Sequence, residues 1–191
     1  MSDIAVETIY FDAPGPQNTA RTLEVARRRA EEMDVEAILV ASTRGWTGVQ
    51  AAELFQGRHV VVVSHSTGFV EPNVQELTEE NRTRIEAAGA TILTVQHAFG
   101  GVNRGVRTRL GTYLTDEIIA YTLRTFGEGT KVCVEISLMA ADAGLVRAGE
   151  PCIAIAGSGR GADTAIALTP VNAQQFFDLR VMEILAKPRL A

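Results

Sequence analysis

Short apolar runs recur along this chain, and each opens into a polar loop that leads to a segment with helical periodicity. Ala37-Ile38-Leu39-Val40-Ala41 and His59-Val60-Val61-Val62-Val63-Ser64 are continuous apolar runs, the pattern of strands buried on both faces. Ala90-Thr91-Ile92-Leu93-Thr94-Val95 reads as a further strand and Ile4 to Phe11 as the first one, ended by Asp12-Ala13-Pro14-Gly15-Pro16. Between them, Leu23, Ala26, Ala30 and Met33 follow helical spacing after a cap at Asn18 or Thr19. Val49 to Phe55 predicts the next helix, with Gly57 as its stop. Thr78, followed by Glu79 and Glu80, predicts a capped helix ending at Gly89.

The β-loop-α unit therefore occurs three times, which predicts a mainly parallel sheet covered by helices on both faces. In the second half, Leu114 to Phe126 and Val132 to Leu145 read as helices, although Val132-Cys133-Val134 also fits the start of a strand. Pro151 to Ala156 and Asp163 to Thr169 read as strands joined by Gly157-Ser158-Gly159-Arg160-Gly161-Ala162. Asn172 caps a short helix through Phe176, and Asp178 to Ala186 reads as an edge strand. There is no repeat and no boundary, so residues 1–191 form one domain.

Composition narrows the class. The chain has 191 residues, an apolar fraction of 46% and a formal charge of −5. It is too apolar for disorder, and its acidic balance matches nucleic acid poorly. No apolar run reaches the roughly 18 residues of a membrane span. The N-terminus lacks a basic, apolar leader, so the expected compartment is the cytoplasm. Cys133 and Cys152 lack metal-ligand spacing, and no metal site is expected. Two buried thiols suit a reducing cytosol better than a disulfide.

The glycines concentrate in the loops after predicted strands. Glycine lets a backbone approach a ligand and turn its N–H groups inward. Ser42-Thr43-Arg44-Gly45-Trp46-Thr47-Gly48, between a strand and a helix, therefore fits either a phosphate site or a simple capping loop. Gly157 to Gly161 is no dinucleotide fingerprint, because its third glycine comes one residue early and a strand follows. It reads as a hairpin connection or as a second anion-binding lip with Arg160. Ser64, His65 and Gly68, and likewise His97, follow strand ends and face the same mouth. His65 and His97 are candidates for proton transfer or ring stacking. Trp46, the single tryptophan, sits in a glycine loop, where it either packs as a lid or stacks on a flat ring. Arg104, Arg107 and Arg109 form a basic run that suits a phosphate, a subunit contact or solvent. Glu135 lies in an apolar helix with Asp142 on the same face. If buried, it needs a partner and becomes a site candidate.

Two of these loops resemble the pyruvate kinase C-terminal domain. Ala41-Ser42-Thr43-Arg44-Gly45-Trp46-Thr47 is similar to its Thr-x-Ser-Gly-Arg-Ser type loop, which holds a phosphate of a sugar bisphosphate effector. Gly157-Ser158-Gly159-Arg160-Gly161-Ala162-Asp163-Thr164 is similar to its Pro-Gly-Ser-Gly-x-Thr-Asn-Thr segment. The stretches from Gly101 through Leu145 and from Phe176 through Arg189 resemble a family of archaeal and bacterial stand-alone pyruvate kinase alpha/beta domain proteins. That resemblance implies a three-layer α/β/α domain with a mixed, mainly parallel sheet. It also implies FMN as the ligand of some members, and no pyruvate kinase activity, which belongs to a separate barrel of about 250 residues. Trp46 replaces the basic residue of the kinase loop, which suits a flavin better than a sugar bisphosphate. The expectation is a cytoplasmic protein that binds a small phosphorylated ligand, with a homo-oligomer left open. Ser42, Thr43, Gly45, Thr47 and Gly48 would hold the phosphate, with Trp46, His65 and His97 near the ring. Gly157, Ser158, Gly159 and Arg160 would close the site. The alternatives are a phosphometabolite-sensing regulator and a flavin enzyme that uses His97 or His65 for proton transfer.

Overall fold

The computed structural model describes residues 3–189. Seven strands form one sheet: β1 (Ile9–Phe11), β2 (Ala37–Ala41), β3 (His59–Val63), β4 (Thr91–Leu93), β5 (Cys152–Ala156), β6 (Thr164–Thr169) and β7 (Arg180–Pro188). Their spatial order is β1-β7-β6-β5-β2-β3-β4. The β5-β2-β3-β4 half is parallel, β6 runs antiparallel to both its neighbours, and β1 pairs parallel with β7.

Helices cover both faces, because the central strands are apolar on both. On one side α1 (Thr19–Glu32), α2 (Trp46–Leu54) and α3 (Glu79–Ala87) contribute Leu23, Ala26, Val49, Ala52 and Ile85 to a core with Ile38, Val40 and Val62. On the other, α5 (Thr115–Arg124) and α6 (Glu128–Asp142) bring Ala120, Val134, Leu138 and Met139 onto Leu39, Val61 and Ala154. Alternate residues of one strand thus enter opposite cores. The three-layer α/β/α architecture and the mixed, mainly parallel sheet agree with the expectation. No helix among the described residues is long and apolar enough to cross a membrane.

Five element assignments change. Residues Val102–Leu110, which carry the basic run and no predicted element, form helix α4. Helix α2 starts at Trp46, three residues early, because Gly45 takes φ +100° and turns the chain directly into the helix. The segment before α6 is helical from Glu128, which puts Lys131 in its first turn. Strand β7 is not an edge strand along its whole length, since β1 pairs with its end through Ile9↔Ala186 to Phe11↔Pro188. Strand β1 itself is shorter than the expected Ile4–Phe11. Thr8 Oγ1 donates to Ile184 O at 2.8 Å and occupies the next carbonyl down β7. Cys133 and Cys152 are buried free thiols. Burial pushes the Cys152 thiol up to about 12 and raises that of Cys133 as well.

Candidate functional site

Parallel strands end at one rim, and the loops after them meet there. They enclose a cleft of about 1060 Å³ lined from the β2, β3 and β5 ends, the start of α1 and one face of α6. Ser42, Thr43, Trp46, Thr47, Ser64, His65, His97, Gly157, Ser158, Gly159 and Arg160 all line it. Gly45, Gly48 and Gly68 do not. Gly45 turns toward α3, where a Cβ would stand 2.4 Å from Asn81 Cβ. Gly48 lets α2 lie close on β3, since a Cβ there would meet Val62 Cγ1 at 2.6 Å. Gly68 lies in a turn beside the cleft, in a second, more open depression with Gly101 and Arg109.

The β2–α2 loop is held from both ends. Ser42 N–H continues the ladder to Val63 O, and Ser42 Oγ accepts the Gly48 N–H at 3.0 Å. That hydroxyl caps one donor of the α2 first turn, while the amides of Trp46 and Thr47, both cleft-lining residues, have no partner among the described residues. From the α3 side, Asn81 Nδ2 donates to Arg44 O at 2.8 Å. Trp46 is 57% exposed at the head of α2.

The β5–β6 loop is anchored by fully buried Asp163. Its Oδ2 accepts the N–H groups of Gly15 and Ser158 at 3.0 and 3.2 Å. Thr19 Oγ1 accepts the Ala162 N–H, tying the loop to the start of α1. Ser158, Gly159 and Arg160 therefore stand on a braced platform, with Arg160 exposed at the rim.

The two histidines have different partners. His65 Nδ1 lies 2.7 Å from Glu76 Oε2, and its Nε2 lies 3.3 Å from Thr43 Oγ1. Phe69 packs on both rings, with centroids 4.1 Å from His65 and 4.9 Å from His97. His97 Nε2 accepts the Ser66 N–H at 3.4 Å. Burial lowers His97 to about 4, against the opposing pull of Glu135, so it is an uncharged ring at neutral pH.

Behind His97 lies a buried charge pair that spacing alone only half indicated. Lys131 Nζ donates to Glu135 Oε2 at 2.5 Å, and Glu135 Oε1 accepts the Phe99 N–H at 3.0 Å. Both side chains line the cleft. Glu135 thus has the partner its burial requires, whereas Asp142 is exposed and accepts bonds from Asn172 and Ala173. The basic run divides as well. Arg107 pairs with Glu117 at 2.8 Å, while the Arg104 guanidinium lies 4.4 Å over the Phe69 ring and reaches the cleft. Glu76 and Phe69 carried no sequence signal; each is placed by an irregular loop.

A mixed sheet covered on both faces, with its cleft beyond the strand carboxyl ends, defines an α/β domain of one well-populated class. A family model described as the pyruvate kinase alpha/beta domain matches residues 20–167, and the chain belongs to that family. Among solved structures, a pyruvate kinase from Cryptosporidium parvum aligns with 79% of this chain and 22% of its own, at 10% identity and a TM-score of 0.41. The Cryptosporidium parvum enzyme in complex with ADP aligns with 92% of this chain and 25% of its own, at 11% identity and a TM-score of 0.39. A hydrogen sulfide-producing enzyme from Fusobacterium nucleatum aligns with 53% and 31%, at 20% identity and a TM-score of 0.30. The chain spans about a quarter of the length of the pyruvate kinases it matches.

Proposed function

We propose that the cleft binds a small phosphorylated ligand carrying a flat aromatic ring, with FMN as the best match. The observation that carries this reading is the pairing of two features at one place. The open amides at the head of α2 suit a phosphate, and exposed Trp46 beside them suits a planar ring. Arg44 and Arg160 add positive charge. Unlike Arg107 and Arg124, which pair with Glu117 and Glu128, they have no carboxylate partner among the described residues. The cleft volume of about 1060 Å³ is also ample for a cofactor.

Bound FMN would supply a redox-active ring and a phosphate dianion. The chain's own residues would hold the phosphate at Thr43 and Thr47 and the α2 amides. Arg44 and Arg160 would neutralise it, and Ser158 and Gly159 would close the opposite side. His97, uncharged and accepting a bond from Ser66, lines the cleft as a neutral aromatic wall.

Trp46 is the single tryptophan, so its fluorescence reports this site directly. Titration with FMN should quench it to saturation and shift the flavin absorbance. Riboflavin, which lacks the phosphate, should bind at least about tenfold more weakly, the loss of one or two charge-assisted hydrogen bonds. Unquenched Trp46 at millimolar FMN, or equal affinity for riboflavin, would refute the reading.

A further inference from the structure

The cleft holds a second chemical feature, independent of the flavin. Thr43 Oγ1, His65 Nε2, His65 Nδ1 and Glu76 Oε2 form one line, with separations of 3.3 and 2.7 Å across the imidazole. All three residues line the cleft. A hydroxyl against one imidazole nitrogen and a carboxylate against the other is the arrangement by which proteins turn an alcohol into a nucleophile.

We propose that Thr43, His65 and Glu76 form an acyl-transfer site that hydrolyses a carboxylic ester, with Thr43 as nucleophile and His65 as general base. Glu76 is a positioning residue that holds the ring with Nε2 toward Thr43.

The supporting features are local. The register Ala41↔Val63 sets Thr43 and His65 at equal distances beyond adjacent parallel strands. Both Thr43 and His65 are partly buried, within reach of the cleft but shielded from bulk water. Phe69 packs on the His65 ring at 4.1 Å, which limits its rotation. Thr43 has few χ1 states open to it. It stands in the loop between β2 and α2, whose first-turn amides would be the donors for a developing oxyanion.

The steps balance with water as co-reactant. Thr43 Oγ1 bonds to the ester carbonyl carbon while its proton passes to His65 Nε2. The C=O electron pair moves onto oxygen, facing the α2 amides. The carbonyl re-forms, the bond to the alcohol oxygen breaks, and His65 returns the proton to the departing alcohol. A water molecule, deprotonated by His65, then attacks the acyl-Thr43. This releases the carboxylic acid and restores the hydroxyl.

This inference does not rest on the flavin reading. A phosphate at Thr43 would block the ester, so the assay uses ligand-free protein, and the two readings fail separately. The probe is p-nitrophenyl acetate, followed by nitrophenolate release, with peptide mass spectrometry of rapidly quenched samples. The expected result is saturable hydrolysis and one acetyl group on the peptide containing Thr43. Thr43→Ala and His65→Ala should each lower kcat/KM by roughly 10²-fold or more. Thr43→Ser should keep activity, which separates lost chemistry from lost folding. Glu76→Gln should lower kcat with KM unchanged. Equal rates in wild type and Thr43→Ala, loss of activity in Thr43→Ser with an unchanged melting curve, or acetyl groups only on lysines would overturn it.

Discussion

Glu135→Gln removes the carboxylate against which Lys131 Nζ rests at 2.5 Å, without removing side-chain volume. The lysine is then left beside an amide, in a position where its side chain is 9% exposed. Breaking a buried pair from one side costs about 3–5 kcal/mol, because the remaining charge keeps its desolvation penalty. Loss of the proton sets a ceiling: for an ordinary lysine at pH 7 this costs about 4.6 kcal/mol. Two features lower the figure. Lys131 lines a cleft that water enters, and the glutamine oxygen can still accept the Phe99 N–H. A loss of about 2–4 kcal/mol follows, equivalent to a drop in Tm of roughly 5–15 °C for a chain of this size. Urea unfolding at pH 7 measures it, with an unchanged m-value showing that the two end states are the same. The double replacement Lys131→Met with Glu135→Gln should recover most of the loss, since no charge is then stranded and the glutamine oxygen still accepts the Phe99 N–H. A single variant within about 0.5 kcal/mol of wild type, or a double variant worse than the single, would refute the reasoning.

Three further outcomes are expected. Gly48→Ala should destabilise by about 1–3 kcal/mol in a thermal melt, because its Cβ would stand 2.6 Å from Val62 Cγ1 and force α2 off the sheet. His97 is lowered to about 4 from 6.5 by burial, so the unfolded chain takes up its proton first. The stability it contributes is present above 6.5 and lost as pH falls toward 4. His97→Gln should therefore flatten the fall in urea midpoint across that window, and an identical slope in both proteins would count against it. Arg44→Ala and Arg160→Ala should each weaken FMN binding by several-fold, an effect that shrinks at high salt, and leave Tm unchanged. Unaltered affinity would move the phosphate elsewhere.

The central strands were legible in the sequence for a physical reason. Strands β2, β3, β5 and β6 are covered on both faces, so Ala37–Ala41 or Cys152–Ala156 must be apolar throughout. Helix α4 was not legible, because Gly101-Val102-Asn103-Arg104-Gly105 opens it with two glycines and a polar pair. None of its residues is buried, so no apolar stripe marks it. The start of α2 was hidden in the same way. Gly48 reads as a loop residue until the nearness of Val62 shows why the helix needs it.

Among the candidate side chains, residue type was readable and company was not. The loops themselves marked Ser42, Thr43, Trp46, His65, His97 and the Gly157–Arg160 segment as cleft-facing, because loops after parallel strands must converge. Partners came only from the folded chain. Thr43 and His65 are 22 positions apart, and they meet because β2 and β3 pair in register. Glu76 reaches His65 through an irregular loop that no periodicity describes. Glu135 and Lys131 are one helical turn apart and so were neighbours from the outset. Their burial depends on α6 lying over the strand ends, with His97 and Phe99 brought in from β4. The amino-acid order by itself determined the layers, the strand cores and the mouth, because burial on two faces writes itself into hydrophobic pattern. Tertiary structure alone decided which polar groups share that mouth, because sheet register and irregular loops leave no period in the sequence.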